Sequence, residues 1–263
     1  MLRETLHLRK QDRVTQIIVR EGSYFPPDLV KFELKLKEEL IMIIEDLEDL
    51  RSFVNLVDKS RKEFIWKDLV KEFRISFTEP LSELSGAFRD TEFNTIDLRG
   101  FDTSWVGVMS DLFLNCCSLE KIDLRGLDTS NVSHMAGMFR ECHQLKKLDL
   151  SDLYFPDVLD LAYMFDGCYS LEELNLPNLN TKNVIYLSKM FRDCKELKEI
   201  DLSSFDTLNV QDMNDMFQNC DAKIFISEKS SSLEKFGDKN QIVMKGKKVE
   251  EEKKDLFSSS SLF

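Results

Sequence analysis

The stretch Ile122-Asp123-Leu124-Arg125-Gly126-Leu127-Asp128-Thr129-Ser130-Asn131-Val132, followed by Met135-Ala136-Gly137-Met138-Phe139, Cys142 and Leu145, decides the fold because it recurs. Phe113, Phe139, Phe165, Phe191 and Phe217 follow one another at intervals of 26 residues. Cys116, Cys142, Cys168, Cys194 and Cys220 keep the same step, as do the apolar pairs Ile96/Leu98, Ile122/Leu124, Leu148/Leu150, Leu174/Leu176 and Ile200/Leu202. A degenerate copy precedes these five, with Ser85-Gly86-Ala87-Phe88 and with Thr91 where cysteine is expected; a truncated one, Ile224-Phe225-Ile226, follows. A fixed period of this length marks a stacked repeat architecture, in which each unit buries its apolar face only against its neighbours.

Within one copy, Lys121-Ile122-Asp123-Leu124-Arg125 alternates apolar and charged residues, the pattern of a strand with one buried face. Leu127 and Val132 are apolar in every copy and should point inward. Met135, Met138 and Phe139 stand at i, i+3 and i+4, the spacing of one face of a short helix. The expected unit is therefore strand, turn, short helix and return, stacked into a parallel sheet on one side with helices on the other.

Composition narrows the function classes. Hydrophobic residues make up 42% of the 263, enough for a continuous core, and the net charge of −12 argues against a nucleic-acid surface. Residues 1–7 hold no apolar run and the longest apolar cluster, Leu40-Ile41-Met42-Ile43-Ile44, is far too short for a membrane span. As written, the chain is expected to be cytoplasmic. Five of the six cysteines sit in one repeat column, with Cys117 the sixth, and that ladder reads as small apolar core residues rather than a disulfide framework. Only Cys116-Cys117 and Cys142-His143 are close together, which is not the spacing of a zinc site.

Ahead of the repeats, Val14–Val19 is rich in β-branched residues and reads as a strand. Gly22 and Pro26-Pro27 then break the chain, and Asp28 stands as an N-cap. From Leu29 to Val57 apolar residues recur at helical spacing, predicting an amphipathic helix with a break near 51–55. A second helix is expected over 62–73. This block is either a cap for the open end of the stack or an interaction or dimerisation helix. The expected division is a mainly helical N-terminal cap at 1–72, a repeat region at 73–227 and a C-terminal cap or disordered tail at 228–263. Within that tail 241–244 is a candidate strand, and the charge run 245–254 and serine run 258–261 lack apolar periodicity.

The repeat resembles the BspA-like leucine-rich repeat, in the 26-residue form of bacterial and mycoplasma surface proteins. The clearest copy is Ile200-Asp201-Leu202-Ser203-Ser204-Phe205-Asp206-Thr207-Leu208-Asn209-Val210, continuing to Met213, Met216, Phe217 and Cys220. The resemblance covers roughly half the chain. It implies an α/β leucine-rich-repeat solenoid used for adhesion or protein binding, with no catalytic residues to carry over. It also implies a cell-surface location, although no export signal is visible.

Candidate binding residues lie where side chains face outward and where copies disagree. The strand column Asp97, Asp123, Asp149, Asn175, Asp201 is either an ordinary solvated face or an acidic surface for a basic partner, with Asp123, Asp149 and Asp201 as its candidates. Aromatic residues replace polar ones at Trp105, Tyr154, Phe155, Tyr163, Tyr169 and Tyr186. Exposed aromatics are enriched at protein contacts, while single ones are ordinary surface. No phosphate loop, His-Glu-x-x-His or Gly-x-Ser-x-Gly occurs, and the three histidines form no constellation. The expected function is non-enzymatic protein binding without cofactor or metal. The alternatives are a surface adhesin exported without a visible signal, or an effector or enzyme activity in the N-terminal block.

Overall fold

The computed structural model describes residues 9–11, 14–18, 39–44, 46–59, 61–73, 76–77, 79–176, 179–235 and 242–244. Each sequence copy forms one coil. Its strand is only three residues long: β6 (Thr95–Asp97), β7 (Lys121–Asp123), β8 (Lys147–Asp149), β9 (Glu173–Asn175) and β10 (Glu199–Asp201), followed by β11 (Lys223–Ile226). The pairings are parallel and join equivalent residues, Ile96 to Ile122, Leu148 to Leu174 and Ile200 to Ile224. The stack extends at both ends. β4 (Glu63–Ile65) pairs in parallel with β6, and β12 (Ile242–Met244) with β11. Three all-parallel sheets result, β4-β6-β7, β8-β9 and β10-β11-β12. A second row of parallel bridges links Glu83, Val108, His134, Asp160, Tyr186 and Asp212 from coil to coil.

The side opposite the strands corrects the expectation of short helices. It consists of consecutive turns. Leu112 N donates to Met109 O and Leu114 N to Asp111 O, within one coil, whereas Asp111 N donates to Ala136 O, Phe113 N to Met138 O and Asn115 N to Arg140 O, in the next coil. Alternate amides thus serve their own turn and the neighbouring one. The chain achieves this by placing two left-handed residues in each coil, such as Asp111 (φ 55°) and Asn115 (φ 59°), or Gly137 (φ 64°) and Glu141 (φ 60°). A right-handed helix cannot contain them.

The core follows the repeat columns. Phe88, Phe113, Phe139, Phe165, Phe191 and Phe217 form a row with successive ring centroids 5.3–5.8 Å apart. The column cysteines are buried beside it. The Sγ of Cys116, Cys142, Cys168 and Cys194 donates to the phenylalanine carbonyl of the preceding coil at 3.0–3.2 Å. Thr91, in the degenerate copy, turns its hydroxyl to the phenylalanine carbonyl of its own coil instead, Phe88 O at 2.9 Å. Burial pushes the thiols of Cys116 and Cys168 up to about 12, so they remain protonated donors. Buried threonines form a further ladder: Thr103 Oγ1 donates to Asp128 O, Thr129 to Tyr154 O and Thr181 to Asp206 O.

The N-terminal region holds a mixed sheet ordered β1 (Arg9–Gln11), β2 (Val14–Ile18), β3 (Glu39–Ile44), β5 (Ser76–Phe77), antiparallel only between β1 and β2. The expected strand near Val14 is present. The long amphipathic helix is not: residues 39–44 form β3, and helix α1 (Leu47–Asp58) begins after it and runs unbroken through 51–55. The reason lies in the run Leu40-Ile41-Met42-Ile43-Ile44, whose continuous apolar, β-branched character suits a strand, and in Asp46, whose carboxylate accepts from Asp49 N at 2.9 Å and caps α1. The second expected helix starts later, as α2 (Trp66–Phe73), because 63–65 belong to β4. The readings at Gly22, Pro26-Pro27, Asp28 and 29–38 lie outside the described residues.

Phe64 joins this region to the repeats, with ring centroids 6.2 Å from Phe53, 4.8 Å from Phe88 and 5.4 Å from Phe93. One apolar core is continuous from Ile44 to Leu233. At the C-terminal end a 3-10 helix covers Glu228–Lys235, and β12 occupies the expected strand position. The charge and serine runs beyond it lie outside the described residues.

Candidate interaction surface

The strand-face aspartates are fixed by the turn that follows each strand. Asp97, Asp123, Asp149 and Asp201 each accept, through Oδ1, from the backbone N two residues on, at 3.0–3.1 Å. This local bond explains an acidic column despite repulsion between neighbouring strands. In the first two coils arginines offset that repulsion. Arg99 forks onto Asp97 and reaches Asp123 at 3.3 Å, and Arg125 binds Asp123 at 2.6–2.9 Å. The guanidinium of Arg99 holds the Asp97 carboxyl below its ordinary value, and that of Arg125 does the same for Asp123. Asp97 is buried and Asp123 half-buried, whereas Asp149 and Asp201 are exposed and have no arginine two residues on. Asp149 and Asp201 are thus the more exposed acids of this face.

A second acidic column uses the same device. Asp102 and Asp128 accept from the backbone N and hydroxyl of Ser104 and Ser130, and these bonds lower both carboxyl pKa values. In the fourth coil Asn180 Oδ1 takes the place of the carboxylate and accepts from Lys182 N.

The aromatic candidates separate into three groups. Trp105 and Tyr154 stand out from the surface, 68% and 64% exposed. Tyr163 and Tyr169 border the turn side and are already stacked. Arg140 and Lys189, from the coils on either side, each lie 5.2 Å from the Tyr163 ring centre. His143 lies 4.9 Å from the Tyr169 ring and Lys195 Nζ 5.0 Å. Tyr186 is exposed on the bridge row. Phe155 requires a correction. It is 1% exposed and belongs to the core, where it replaces the buried threonine of other coils. Pro156 follows it, and the coil trades the threonine hydroxyl bond for apolar burial.

Two features escaped the sequence reading. Leu208 is 85% exposed at a position held by Ser104, Ser130 and Lys182 in other copies, a departure visible by the same column comparison that found the tyrosines. Asp166 is a buried carboxylate between two arginines. Arg192 binds it at 2.7 Å through Nε and Nη2, and Arg140 Nε lies 3.2 Å away without hydrogen-bond alignment. The arginines stand 26 residues before and after Asp166, so the repeat register itself was the signal.

Trp105 borders a cleft of about 170 Å³ shared with Phe77, Glu79, Pro80, Leu81 and Asp102. Among the described residues no group of three or more His, Cys, Asp or Glu side chains converges as a metal site, and no helix is long and apolar enough to cross a membrane.

Parallel strands pairing equivalent positions, a row of stacked phenylalanines and inter-coil turn bonds define a mixed α/β repeat protein whose variable side chains are displayed outward. Two segments, 82–175 and 147–253, match the family described as Mycoplasma protein of unknown function, DUF285. Together they span 82–253, more than half of the chain, and the protein belongs to that family. No curated relative matches the sequence.

Proposed function

We propose that this protein is a non-enzymatic, protein-binding repeat protein, a solenoid of the BspA-like leucine-rich-repeat kind, which presents its variable columns to a partner. The observation that carries the proposal is the division of side chains. Positions shared by the copies, such as Val132, Met138, Phe139, Cys142 and Leu145, are buried, while departures at Trp105, Tyr154, Tyr169, Tyr186 and Leu208 are exposed. Large exposed aromatics on a rigid scaffold supply contact area with little side-chain entropy to lose. On the strand face, Asp149 and Asp201 add exposed acids for a basic partner. The resemblance to mycoplasma surface proteins favours display outside the cell.

Affinity capture compares the full chain with a Y154D/Y169K/Y186D variant, in which each tyrosine is exchanged for a residue found in its own column in another copy. The proposal expects capture of partner protein to be lost with the unfolding midpoint unchanged. Equal capture by both chains would remove these residues from the interface. Proteolysis of intact cells tests display: an exposed repeat region is cleaved without lysis, and a protected one rejects the surface location.

A further inference from the structure

We infer that the Trp105 cleft is a receptor for the side chain of an arginine or lysine in a basic segment of a protein partner; this rests on the protein-binding reading above and names the chemistry of one contact. The cleft pairs an apolar floor with an acidic rim. Phe77, Pro80 and Leu81 line it with Trp105, and Glu79 and Asp102 supply carboxylates. None of these described lining residues is basic. At about 170 Å³ it is smaller than the ~300 Å³ at which small-molecule pockets begin, and it suits a single side chain. Long cationic side chains lay their methylene stems on apolar surface and hold the charged head at its edge.

Three further observations point to a cation. Trp105 is 68% exposed beside the cleft, whereas Trp66, whose ring lies 4.5 Å from Phe101, is buried. Indole is the strongest of the aromatic cation acceptors. Tyr163 and Tyr169 already carry the cations of neighbouring coils, but no described lysine or arginine stacks on Trp105. The Asp102 carboxylate is held in its charged form by the Ser104 bonds, and Asp128 of the next coil adds to the negative field. A chain of net charge −12 draws basic segments toward such a site.

The position of Trp105 explains the cleft. In later coils the same column holds Asn131, Asp157, Asn183 and Asn209, and Asn131 and Asn209 use their amides to bond the carbonyl of the preceding coil, at Ser104 O and Lys182 O. Trp105 has no full coil before it. Its neighbours are Phe77, Glu79, Pro80 and Leu81, which enter the stack, and the indole opens a cleft against them instead of closing a bond.

The test uses the full chain labelled with ¹⁵N and the peptide acetyl-Gly-Arg-Gly-amide. The two tryptophans give two indole signals, assigned with W105N, which installs the residue of Asn131, Asn183 and Asn209. The peptide should move the Trp105 signal saturably and leave that of Trp66 in place. The citrulline analogue, equal in shape and uncharged, should bind roughly fivefold more weakly, the size of an exposed cation–π contact. E79Q/D102N should weaken arginine binding at least as much. D102N keeps the turn, because Asn180 already makes the same bond to Lys182 N. Equal binding of the arginine and citrulline peptides, no movement of the Trp105 signal, or full binding by E79Q/D102N would overturn the assignment. If the arginine peptide fails while tyrosine-dependent capture persists, the cleft assignment falls and the protein-binding reading stands. Arginine binding in the cleft with no protein captured rejects that reading and upholds the cleft.

Discussion

Replacing Phe139 by alanine is the most demanding test of the stacked core. Its ring is fully buried and lies parallel to two others, 5.3 Å from Phe113 and 5.8 Å from Phe165. Truncating a buried phenylalanine costs about 3–5 kcal/mol, from lost transfer energy and the cavity left behind. Each ring neighbour accounts for about 0.5–1.5 kcal/mol within such a loss. Phe217, at the end of the row, has among the described residues one stacked ring beside it, that of Phe191, and is 6% exposed. F217A should therefore cost about 1 kcal/mol less than F139A. F165A, placed between Phe139 and Phe191, should match F139A. Urea unfolding of the full chain, followed by far-ultraviolet circular dichroism, measures all three. The reasoning is refuted if F139A costs less than about 1 kcal/mol, the range of an ordinary surface change, or if F217A costs as much as F139A.

Three other outcomes follow from the buried polar groups. Of the six cysteines, only Cys117 is outside the fully buried class, so an aromatic disulfide reagent should modify one thiol in the native chain and none in C117S; rapid reaction of a second would place a column cysteine at the surface. Acid should destabilise the fold. Hydrogen bonds or arginine partners depress the carboxyls of Asp97, Asp102, Asp123, Asp128 and Asp149, so their stabilisation is complete above the unfolded value of about 3.9 and is lost as pH falls through their lower folded values. Asp58 and Asp111 are raised by burial and act in the opposite sense, but among the described residues they are two against six, since the hydrogen bond from Lys198 lowers Glu172 as well; a urea midpoint at pH 3 no lower than at pH 6 would contradict this balance. D166N removes the charge between Arg140 and Arg192 and should cost about 1–3 kcal/mol in the same urea assay, with no loss if the arginines simply turn to solvent.

The sequence showed the repeat register because every shared apolar residue does the same work in each coil: the Phe139, Cys142 and Val132 columns are core wherever they occur. What it blurred were two cases where one pattern serves two geometries. Apolar residues at i, i+3 and i+4 fit a helical face, yet they also fit successive three-residue turns; Gly137 and Gly167, both with positive φ, were the discriminating residues. The run at 40–44 continued a helical periodicity while being apolar at every position, and strand pairing with β2 and β5 decided its form. For the surface, a column comparison detects departures but not their direction. Tyr154 points to solvent and its neighbour Phe155 into the core, a difference set by the local turn rather than by composition. The Trp105 cleft depends on Phe77, Glu79, Pro80 and Leu81, which lie before the first complete copy and have no repeat partner to compare.

Amide hydrogen exchange on the full chain tests the coil-upon-coil architecture most directly. Amides that donate to the next coil, Asp111, Phe113 and Asn115 and their equivalents at 137, 139, 141, at 163, 165, 167 and at 189, 191, 193, should exchange slowly with a 26-residue period. In the last copy the amides of Asp215 and Asn219 have no described acceptor and should exchange fast. Slow exchange at Asp215 and Asn219 equal to that at Asp111 and Asn115, or protection without the 26-residue period, would contradict the stacking of the coils.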